Sequence, residues 1–241
     1  MRYAILADIH GNLDAFEAVL RDIDDKGGAD ELWCLGDVVG YGPDPAECIA
    51  LLRRHTHICV AGNHDWAAIG KIDICDFNPH AAEACRWTGG RLAPGDIEYL
   101  EGLPLRLERG DFTIVHGSPR EPIWEYVMSV HEAEANFDCY DTKHCLIGHS
   151  HVPVVFELSD NNCSIEELTS LLKLGERRLI VNCGSVGQPR DGDPRASYAI
   201  CDAGEQVIYH NRVEYDVERV QQRMVSLGLP RFLAERLGHG W

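Results

Sequence analysis

The chain has 241 residues, of which 45% are hydrophobic and 25% are charged. These proportions are typical of globular proteins and exclude a disordered or fibrous class, and the length allows a substantial core. The formal net charge of −17 argues against sequence-independent binding to nucleic acid, because such binding depends on lysine and arginine side chains that neutralise phosphates. A smaller phosphate-bearing substrate is compatible with this charge if bound metal ions attract it.

The N-terminus and the cysteines both predict a cytoplasmic location. The segment from Met1 to His10 is interpreted as the first strand followed by site residues, which predicts that there is no secretory signal. The sequence also contains no predicted transmembrane span. The ten cysteines include no C-x-x-C pair, and several lie in apolar runs, where a free thiol acts as a small core residue. We therefore expect a reducing compartment and no membrane association.

The first part of the chain repeats a unit in which a short apolar strand ends in a polar loop. Strands are predicted at Arg2 to Ala7, Glu31 to Leu35 and Ile58 to Ala61. Helices are predicted after the first two loops, from Leu13 to the Gly27-Gly28 stop with Asn12 as cap, and from about Ala46 to His55. Gly62 to Asp65 is the third loop. Repeated units of this kind predict parallel strands with right-handed crossovers.

The second half is predicted to be rich in strands. Short loops between several of them predict antiparallel pairing and a second sheet, packed face to face on the first. The strands are Leu105 to Glu108, Phe112 to Val115, His144 to Ile147, Val152 to Leu158, Arg178 to Asn182, Ala196 to Cys201 and Gln206 to Val213. Helices are predicted at Asn78 to Trp87, Pro94 to Leu100, Glu132 to Phe137, Ile165 to Leu172 and Val217 to Met224. Since nothing marks a linker, we expect a single domain over residues 1–241 with a helical tail at about 216–241.

Five polar clusters follow apolar runs, where an open α/β sheet presents side chains to a crevice beyond its strand ends. They are Asp8-Ile9-His10, Gly36-Asp37, Gly62-Asn63-His64-Asp65, Val115-His116-Gly117 and Gly148-His149-Ser150-His151. Carboxylates, an amide and imidazoles in this arrangement favour two divalent cations. Mn, Fe, Zn, Ni and Co all suit such donors.

The spacing of the clusters indicates how ligands can be shared. Asp8 and His10 are two residues apart, so their side chains leave on one side if the strand pleat continues through them. His149 and His151 have the same spacing, and each pair can serve one metal or be divided between two. The two oxygens of Asp37 can bridge two cations at about 3.5–4 Å, with a hydroxide held between the metals.

The third cluster supplies a ligand and a proton donor. The amide oxygen of Asn63 can complete one metal site without adding charge. His64 suits a general acid for the departing alkoxide, with Asp65 nearby to orient the imidazole and support its protonated form.

In this order, the motifs D-x-H, G-D, G-N-H-D, V-H-G and G-H-S-H resemble those of the calcineurin-like metallophosphoesterase superfamily, from Arg2 to about Asp202. The resemblance implies an α/β fold, a four-layer α/β/β/α sandwich of two mixed sheets with a dinuclear site between loops. It implies that one metal is held by Asp8, His10, Asp37 and His151. It implies that the other is held by Asp37, Asn63, His116 and His149, with His64 as the acid.

The chain departs from the protein-phosphatase branch of that superfamily after its G-D motif. That branch continues with V-D-R-G, whose arginine binds the substrate phosphate, whereas this chain continues with Val38-Val39-Gly40-Tyr41-Gly42. The missing arginine argues against protein phosphatase activity. The chain looks more like the small prokaryotic phosphoesterases, some of which have G-N-C-D where His64 stands here.

A substitute phosphate contact is predicted in the glycine-rich loop from Asn182 to Arg190. Backbone amides of such a loop can approach an anion, and Arg190 can contact phosphate through two hydrogen bonds. Asn63 is a second predicted substrate contact. The alternative is that the loop is only a turn.

Other polar residues lack a motif. Tyr41 and Gly42 are candidates for the site entrance, and the pocket is expected from Lys71 to Leu103 and from Ser118 to Tyr140. The remaining histidines are interpreted as surface or capping residues, namely His55, His57, His80, His131, His144, His210 and His239.

The favoured hypothesis is a cytoplasmic, metal-dependent phosphoesterase. It hydrolyses a small phosphomonoester or phosphodiester through a hydroxide that bridges the metals, and its oligomeric state is left open. A nuclease of the same superfamily is an alternative that the acidic charge disfavours. A non-catalytic binding scaffold is another, but such proteins tend to lose ligands or the acid histidine, and this chain keeps them all.

Overall fold

Strands and helices alternate at the start of the chain, and strands dominate its second half. The computed structural model describes residues 1–160 and 162–241. The strands are β1 (Arg2–Leu6), β2 (Glu31–Cys34), β3 (His57–Cys59), β4 (Arg106–Arg109), β5 (Phe112–Val115), β6 (His144–Ile147), β7 (Val154–Ser159), β8 (Asn162–Glu167), β9 (Leu171–Lys173), β10 (Arg178–Asn182), β11 (Ala196–Asp202) and β12 (Val207–Val213). The helices are α1 (Leu13–Asp25), α2 (Pro45–Leu52), α3 (Asn63–Ala68), α4 (Pro79–Gly89), α5 (Pro94–Glu101), α6 (Val130–Phe137), α7 (Val217–Ser226) and α8 (Arg231–Leu237).

Both six-stranded sheets are mixed, with three parallel strands at one side of the first sheet and in the centre of the second. The first sheet has the order β3-β2-β1-β11-β12-β9 and the second β4-β5-β6-β10-β7-β8. Strands β1, β2 and β3 are parallel in the first, as are β5, β6 and β10 in the second. Parallel strands place their carboxyl ends at one edge, so the polar segments that follow these six strands gather there.

Antiparallel pairing in the second half occurs between strands that short loops join. The pairs β4–β5, β7–β8 and β11–β12 are antiparallel, as expected. Strands β5 and β6 have no short loop between them and are parallel, because the segment between them contains α6 and crosses over.

The two sheets pack face to face between layers of helices. Ile5 of β1 points between the sheets with Ile114 and Leu146 of the second sheet, whereas the next residue, Leu6, packs with Phe16 of α1. This alternation follows from the two-residue period of a strand. Phe137 of α6 packs on the far face of the second sheet, against Phe156 of β7 and Ile180 of β10. The predicted four-layer α/β/β/α sandwich of two mixed sheets is confirmed.

Two predicted elements are wrong. The segment from Ile165 to Leu172 is not a helix, because β8 pairs with β7 and β9 pairs with β12, and these sheet contacts outweigh local helix propensity. The segment from Gly62 to Asp65 is not wholly a loop, because α3 begins at Asn63. Asn12 caps α1 as predicted, since its side chain accepts a hydrogen bond from the amide of Ala15.

The last two helices form a hairpin that we call the C-terminal hairpin, α7 and α8. Its apolar residues, including Val220, Met224 and Leu237, pack against Tyr41 and against Ala81 of α4. This places the hairpin beside the loop that follows β2. In the described part of the chain, no helix has both the length and the apolar character needed to cross a membrane.

Candidate metal centre

The loops after the parallel strands have a strained backbone at the predicted ligands. Eight non-glycine residues in the described part of the chain have a positive φ, a conformation that costs about 1–3 kcal/mol. Five of them are predicted ligands, Asp8, His10, Asp37, His149 and His151. The strand pleat therefore stops before Asp8, and the loop conformation rather than strand geometry brings Asp8 and His10 together.

The first group of donors contains Asp8, His10 and His151, whose ligand atoms lie within 4.8 Å of one another. The Nε2 atoms of His10 and His151 are 3.1 Å apart, and Nε2 of His151 is 3.4 Å from Oδ1 of Asp8. All three residues are buried. The pair Asp8 and His10 thus contributes to one group.

The second group contains Asp37, His116 and His149, within the same 4.8 Å limit. Nε2 of His116 lies 3.1 Å from Nδ1 of His149 and 3.1 Å from Oδ1 of Asn63. The amide oxygen of Asn63 therefore joins this group. His149 and His151 are divided between the two groups, which resolves the alternatives left open by their spacing.

Asp37 lies between the two groups. Its Oδ2 atom is 3.6 Å from Nε2 of His10 and 3.4 Å from Nε2 of His116. The same oxygen is buried and has no hydrogen-bond partner among the described residues, whereas Oδ1 accepts a hydrogen bond from the amide of His64. A buried carboxylate oxygen without a partner is costly, and a cation on each side would satisfy it.

The four histidines are held in the tautomer that a metal ligand needs. One ring nitrogen of each faces a backbone carbonyl, which can only accept, so that nitrogen carries the proton. These bonds join His10 Nδ1 to Val39 O (3.1 Å), His116 Nδ1 to Leu35 O (2.8 Å), His149 Nε2 to Trp124 O (3.2 Å) and His151 Nδ1 to Gln188 O (2.6 Å). In each neutral ring the inward nitrogen then presents a lone pair to other lone pairs, an arrangement that repels itself unless a cation lies between them.

The pKa shifts of the predicted ligands also indicate a site for cations. Burial raises the pKa of Asp8 to about 7 and raises the pKa of Asp37 well above its usual range, with the charge of Asp65 adding to the shift. Burial also holds the pKa of His10 and His151 well below the usual range, which keeps their imidazoles neutral. Among the described residues the two carboxylates have close ion-pair contacts only with imidazoles, and the residues present fit two divalent cations.

The ring of His64 lies beside that of the predicted ligand His10, with centroids 4.9 Å apart, in an aromatic surrounding. Its ring centroid lies 4.3 Å from that of Tyr41 and 4.7 Å from that of Phe77. Its Nδ1 atom is buried and has no hydrogen-bond partner within the described ranges. Burial and the charge of Arg190 lower its pKa well below the usual value.

Asp65 has a different set of partners from the predicted one. Its carboxylate accepts hydrogen bonds from the backbone amides of Asp37, Val39 and Gly62, at 2.8, 3.1 and 3.1 Å. These bonds fix the loop that carries Asp37 rather than the His64 imidazole. The close packing here also requires glycine at position 62, because a Cβ there would clash with the carboxylate of Asp37.

The glycine-rich loop before Arg190 uses its amides within the protein. The amides of Val186 and Gly187 donate to the carbonyls of Ala7 and Asp8, each at 2.9 Å. The predicted use of these two amides for an anion is therefore wrong, because they brace the Asp8 loop. The guanidinium of Arg190 is still available, since its Nε atom has no partner among the described residues and its NH2 group bonds Gln188 Oε1 at 2.9 Å.

Three aromatic residues at the rim had no signal in the sequence. Tyr126 stacks on His149 with ring centroids 3.9 Å apart and is 45% exposed. Trp124 contacts Phe77 edge to face, with ring centroids 5.3 Å apart. All three lie in the two segments expected to form the pocket, but no motif distinguishes them from their neighbours.

One of the histidines without a motif is not at the surface. His144 starts β6 and is only 1% exposed, so its interpretation as a surface or capping residue is wrong. Its burial follows from its contact with Phe112 and from its position at the end of a strand in the middle of the second sheet.

Comparison with known proteins places this geometry in a family. A family model described as a calcineurin-like phosphoesterase superfamily domain matches residues 1–206. An uncharacterized protein from Methanocaldococcus jannaschii is 38% identical over 239 residues, covering 97% of this chain and 96% of that protein. A symmetrical bis(5'-nucleosyl)-tetraphosphatase from Chromobacterium violaceum is 32% identical over 143 residues, which cover 55% of this chain and 48% of that enzyme. The match thus spans about half of the tetraphosphatase.

Solved structures have the same fold as this chain. The crystal structure of a metallophosphoesterase from Sphaerobacter thermophilus is 45% identical with a TM-score of 0.90, covering 100% of this chain and 99% of that one. A hypothetical protein from Pyrococcus horikoshii, 22% identical with a TM-score of 0.81 and covering 100% and 98%, shares the fold. Together with the paired donor groups, these matches show that the chain belongs to the calcineurin-like phosphoesterase superfamily and is a phosphoester hydrolase.

Proposed function

We propose that this protein hydrolyses small phosphate esters with two divalent transition-metal ions. Asp8, His10 and His151 would hold one ion, His116, His149 and Asn63 the other, and Asp37 would be shared. When bound, such ions lower the pKa of a water so that hydroxide forms near neutral pH, and they attract phosphoryl oxygens. The proposal is supported chiefly by the unpartnered Oδ2 of Asp37 between two groups of inward-facing imidazole nitrogens.

The protein's own groups have distinct roles in this reaction. Hydroxide would form a new bond to phosphorus as the bond from phosphorus to the leaving oxygen breaks. His64 would give that oxygen a proton, its protonated form being favoured by the negative charge of the bound phosphate. Arg190 binds non-bridging phosphoryl oxygens through its guanidinium. Asn63 would bind a metal through its amide oxygen and contact the phosphate. Asp65 positions the Asp37 loop by accepting hydrogen bonds from its backbone amides.

The relatives suggest the kind of substrate. The symmetrical tetraphosphatases are named for a dinucleotide polyphosphate, and we propose that this chain also acts on a small nucleotide phosphate ester. A non-catalytic scaffold is disfavoured because all seven predicted ligands converge, and the net charge of −17 disfavours a nuclease. A reducing cytoplasm is proposed as the location, supported by ten free cysteines, most of them buried.

Metal analysis and a pair of chromogenic substrates test the proposal. Purified protein is reloaded with Mn²⁺, its bound metal is counted, and hydrolysis of p-nitrophenyl phosphate is compared with that of its bis ester. We expect two ions per chain and turnover of at least one substrate, and the faster substrate distinguishes a monoesterase from a diesterase. Binding of two ions without turnover would instead support the scaffold, and binding of one ion or none would refute the shared Asp37.

A further inference from the structure

Three aromatic side chains link the predicted acid to a predicted metal ligand, and we call them the aromatic rim, Phe77, Trp124 and Tyr126. The centroid of the Phe77 ring lies 4.7 Å from that of His64 and 5.3 Å from that of Trp124. The Trp124 carbonyl accepts the hydrogen bond from His149, and the Tyr126 ring stacks on the same imidazole at 3.9 Å. The aromatic rim therefore contacts both the predicted acid and a predicted metal ligand.

Tyr126 is the most exposed member of the aromatic rim. It is exposed to solvent, whereas Phe77 and Trp124 are half-buried. The rings of Tyr126 and His149 are nearly parallel, with 21° between their planes, so the imidazole covers one face of the tyrosine. No other ring stacks on Tyr126 within the described ranges, so its exposed surface includes the second face. An aromatic face that the fold leaves open can stack on a planar ring of a ligand.

The segment that carries Tyr126 is held in place by the residue before it. The carboxylate of Glu125 accepts hydrogen bonds from Ser118 Oγ at 2.5 Å and from Asn136 Nδ2 at 2.9 Å. It also accepts one from the guanidinium of Arg120. These bonds tie the segment to α6 and to the loop after β5. The Tyr126 ring is thus preorganised, which lowers the entropy cost of binding a ligand.

We propose that Tyr126 stacks on a nucleobase in the leaving group of the substrate. In the proposed hydrolysis, on which this inference rests, His64 protonates the departing oxygen, so the leaving group lies on the side of His64 and Phe77. From there it extends along the aromatic rim, past Trp124, to the open face of Tyr126. Every nucleobase has a flat π-face that can stack on such a ring. The preferred esters are therefore nucleotides whose nucleoside departs and whose phosphate stays at the metal centre.

A kinetic comparison tests the inference. Hydrolysis of adenosine 5'-phosphate by Mn²⁺-loaded protein is compared with that of ribose 5-phosphate, since both release a primary alcohol and only the first carries a base. Tyr126→Ala should lower the ratio of kcat/KM for the first ester to that for the second by about 5–100-fold, the range that stacking of one base provides. Tyr126→Phe keeps the ring and should keep the ratio. Met128→Ala, which shortens an exposed apolar side chain of the same segment, is the matched control and should leave the ratio unchanged.

The ratio separates binding of the base from support of the metal ligand. Because Tyr126 stacks on His149, a purely structural role would affect both esters alike. An equal loss for both esters in Tyr126→Ala would therefore overturn the inference, and so would an unchanged rate for both.

A binding measurement separates this inference from the proposed activity. Calorimetry on Mn²⁺-loaded protein compares methylphosphonate with the analogue of adenosine 5'-phosphate in which a methylene group replaces the 5' oxygen, and neither is hydrolysed. The preference for the nucleoside phosphonate should fall in Tyr126→Ala and persist in Tyr126→Phe and Met128→Ala. An equal preference in all four proteins would overturn the inference even if turnover is intact. A reduced preference in Tyr126→Ala, when even the wild type hydrolyses no phosphate ester, would support the base-stacking site and reject the proposed activity.

Discussion

The two ends of the sandwich both bury histidine, but only one end gives histidine polar partners. At the carboxyl ends of the parallel strands, His10 and His116 each have one nitrogen on a carbonyl and the other facing Asp37. At the opposite end, His144 lies in a cleft with Tyr3 and Trp33 and packs against Phe112, with ring centroids 5.2 Å apart. Its Nδ1 atom has no hydrogen-bond partner among the described residues.

The difference shows that a buried neutral imidazole does not by itself indicate a ligand. Burial lowers the pKa of His144 to about 4, and it lowers that of His10 as well. What distinguishes His10 is the carbonyl that fixes its tautomer and the donor atoms opposite its free nitrogen. Variants at the two ends should therefore affect metal binding and stability in different ways.

The largest effect is expected from Asp37→Asn. The amide presents one oxygen and adds a donor, so it cannot be shared by two cations, and we expect loss of the second metal equivalent and of detectable turnover. The matched control is Asp111→Asn, an exposed carboxylate at the opposite end, which should retain both. Bound metal is measured by elemental analysis and turnover with p-nitrophenyl phosphate.

Thermal unfolding of the metal-free proteins shows whether the Asp37 variant is folded. Because Asp37 is a buried carboxylate whose Oδ2 has no hydrogen-bond partner among the described residues, replacing it should leave the metal-free melting temperature unchanged or raise it. A lower melting temperature in Asp37→Asn would mean that the lost activity reflects unfolding and would remove support for a shared ligand.

The next largest effect is expected from His64→Gln, since His64 resembles His144 in having an unpartnered Nδ1. If His64 is the acid, kcat should fall by about 10²–10⁴-fold for phenyl phosphate, whose leaving group needs a proton. The loss should be much smaller for p-nitrophenyl phosphate, whose leaving group departs as an anion. A loss of equal size for both esters would argue for a structural role, and His144→Leu should change neither rate.

Metal binding should stabilise the folded state only through the predicted ligands at the carboxyl ends of the parallel strands. At a metal concentration about 100 times the dissociation constant, binding to the native state alone adds about 2.7 kcal/mol. We expect Mn²⁺ to raise the melting temperature of the wild type and of His144→Leu, and to have a clearly smaller effect on His151→Ala. An equal rise in His151→Ala would show that this imidazole is not a ligand.

The gathering of the predicted ligands at the carboxyl ends of the parallel strands could be predicted because it depends on local sequence. Each ligand follows directly after an apolar strand, so the chain order of Asp8, Asp37 and His116 is enough to place them at one edge of the sheets. The division of His149 and His151 between two groups was implied by the family resemblance but not by their spacing, since it depends on positive φ angles.

Contacts between distant segments were not predictable from local patterns. Tyr126 stacks on His149 through the path of the loop between β5 and α6, which no motif sets. Leu237 packs with Tyr41 because the C-terminal hairpin, which is distant in sequence, lies against the loop after β2. The segment from Ile165 to Leu172 forms strands because β7 and β12 offer it edges. Each of these results depends on tertiary packing, which outweighs propensity.

The smallest expected effect is on the pH dependence of stability, through His144 at the end of the sandwich that has no predicted ligands. Because the folded-state pKa of His144 is about 4 and that of an unfolded histidine is about 6.5, the unfolded chain takes up a proton first as pH falls. Stability from the neutral His144 is present above pH 6.5 and is lost progressively between 6.5 and 4, by about 2 kcal/mol at pH 5. Denaturant unfolding at pH 7 and pH 5 should show that His144→Leu loses less stability than the wild type by about this amount. His55→Leu, at an exposed histidine, should lose as much as the wild type, and an equal loss in all three proteins would mean that His144 is already charged in the folded state at pH 5.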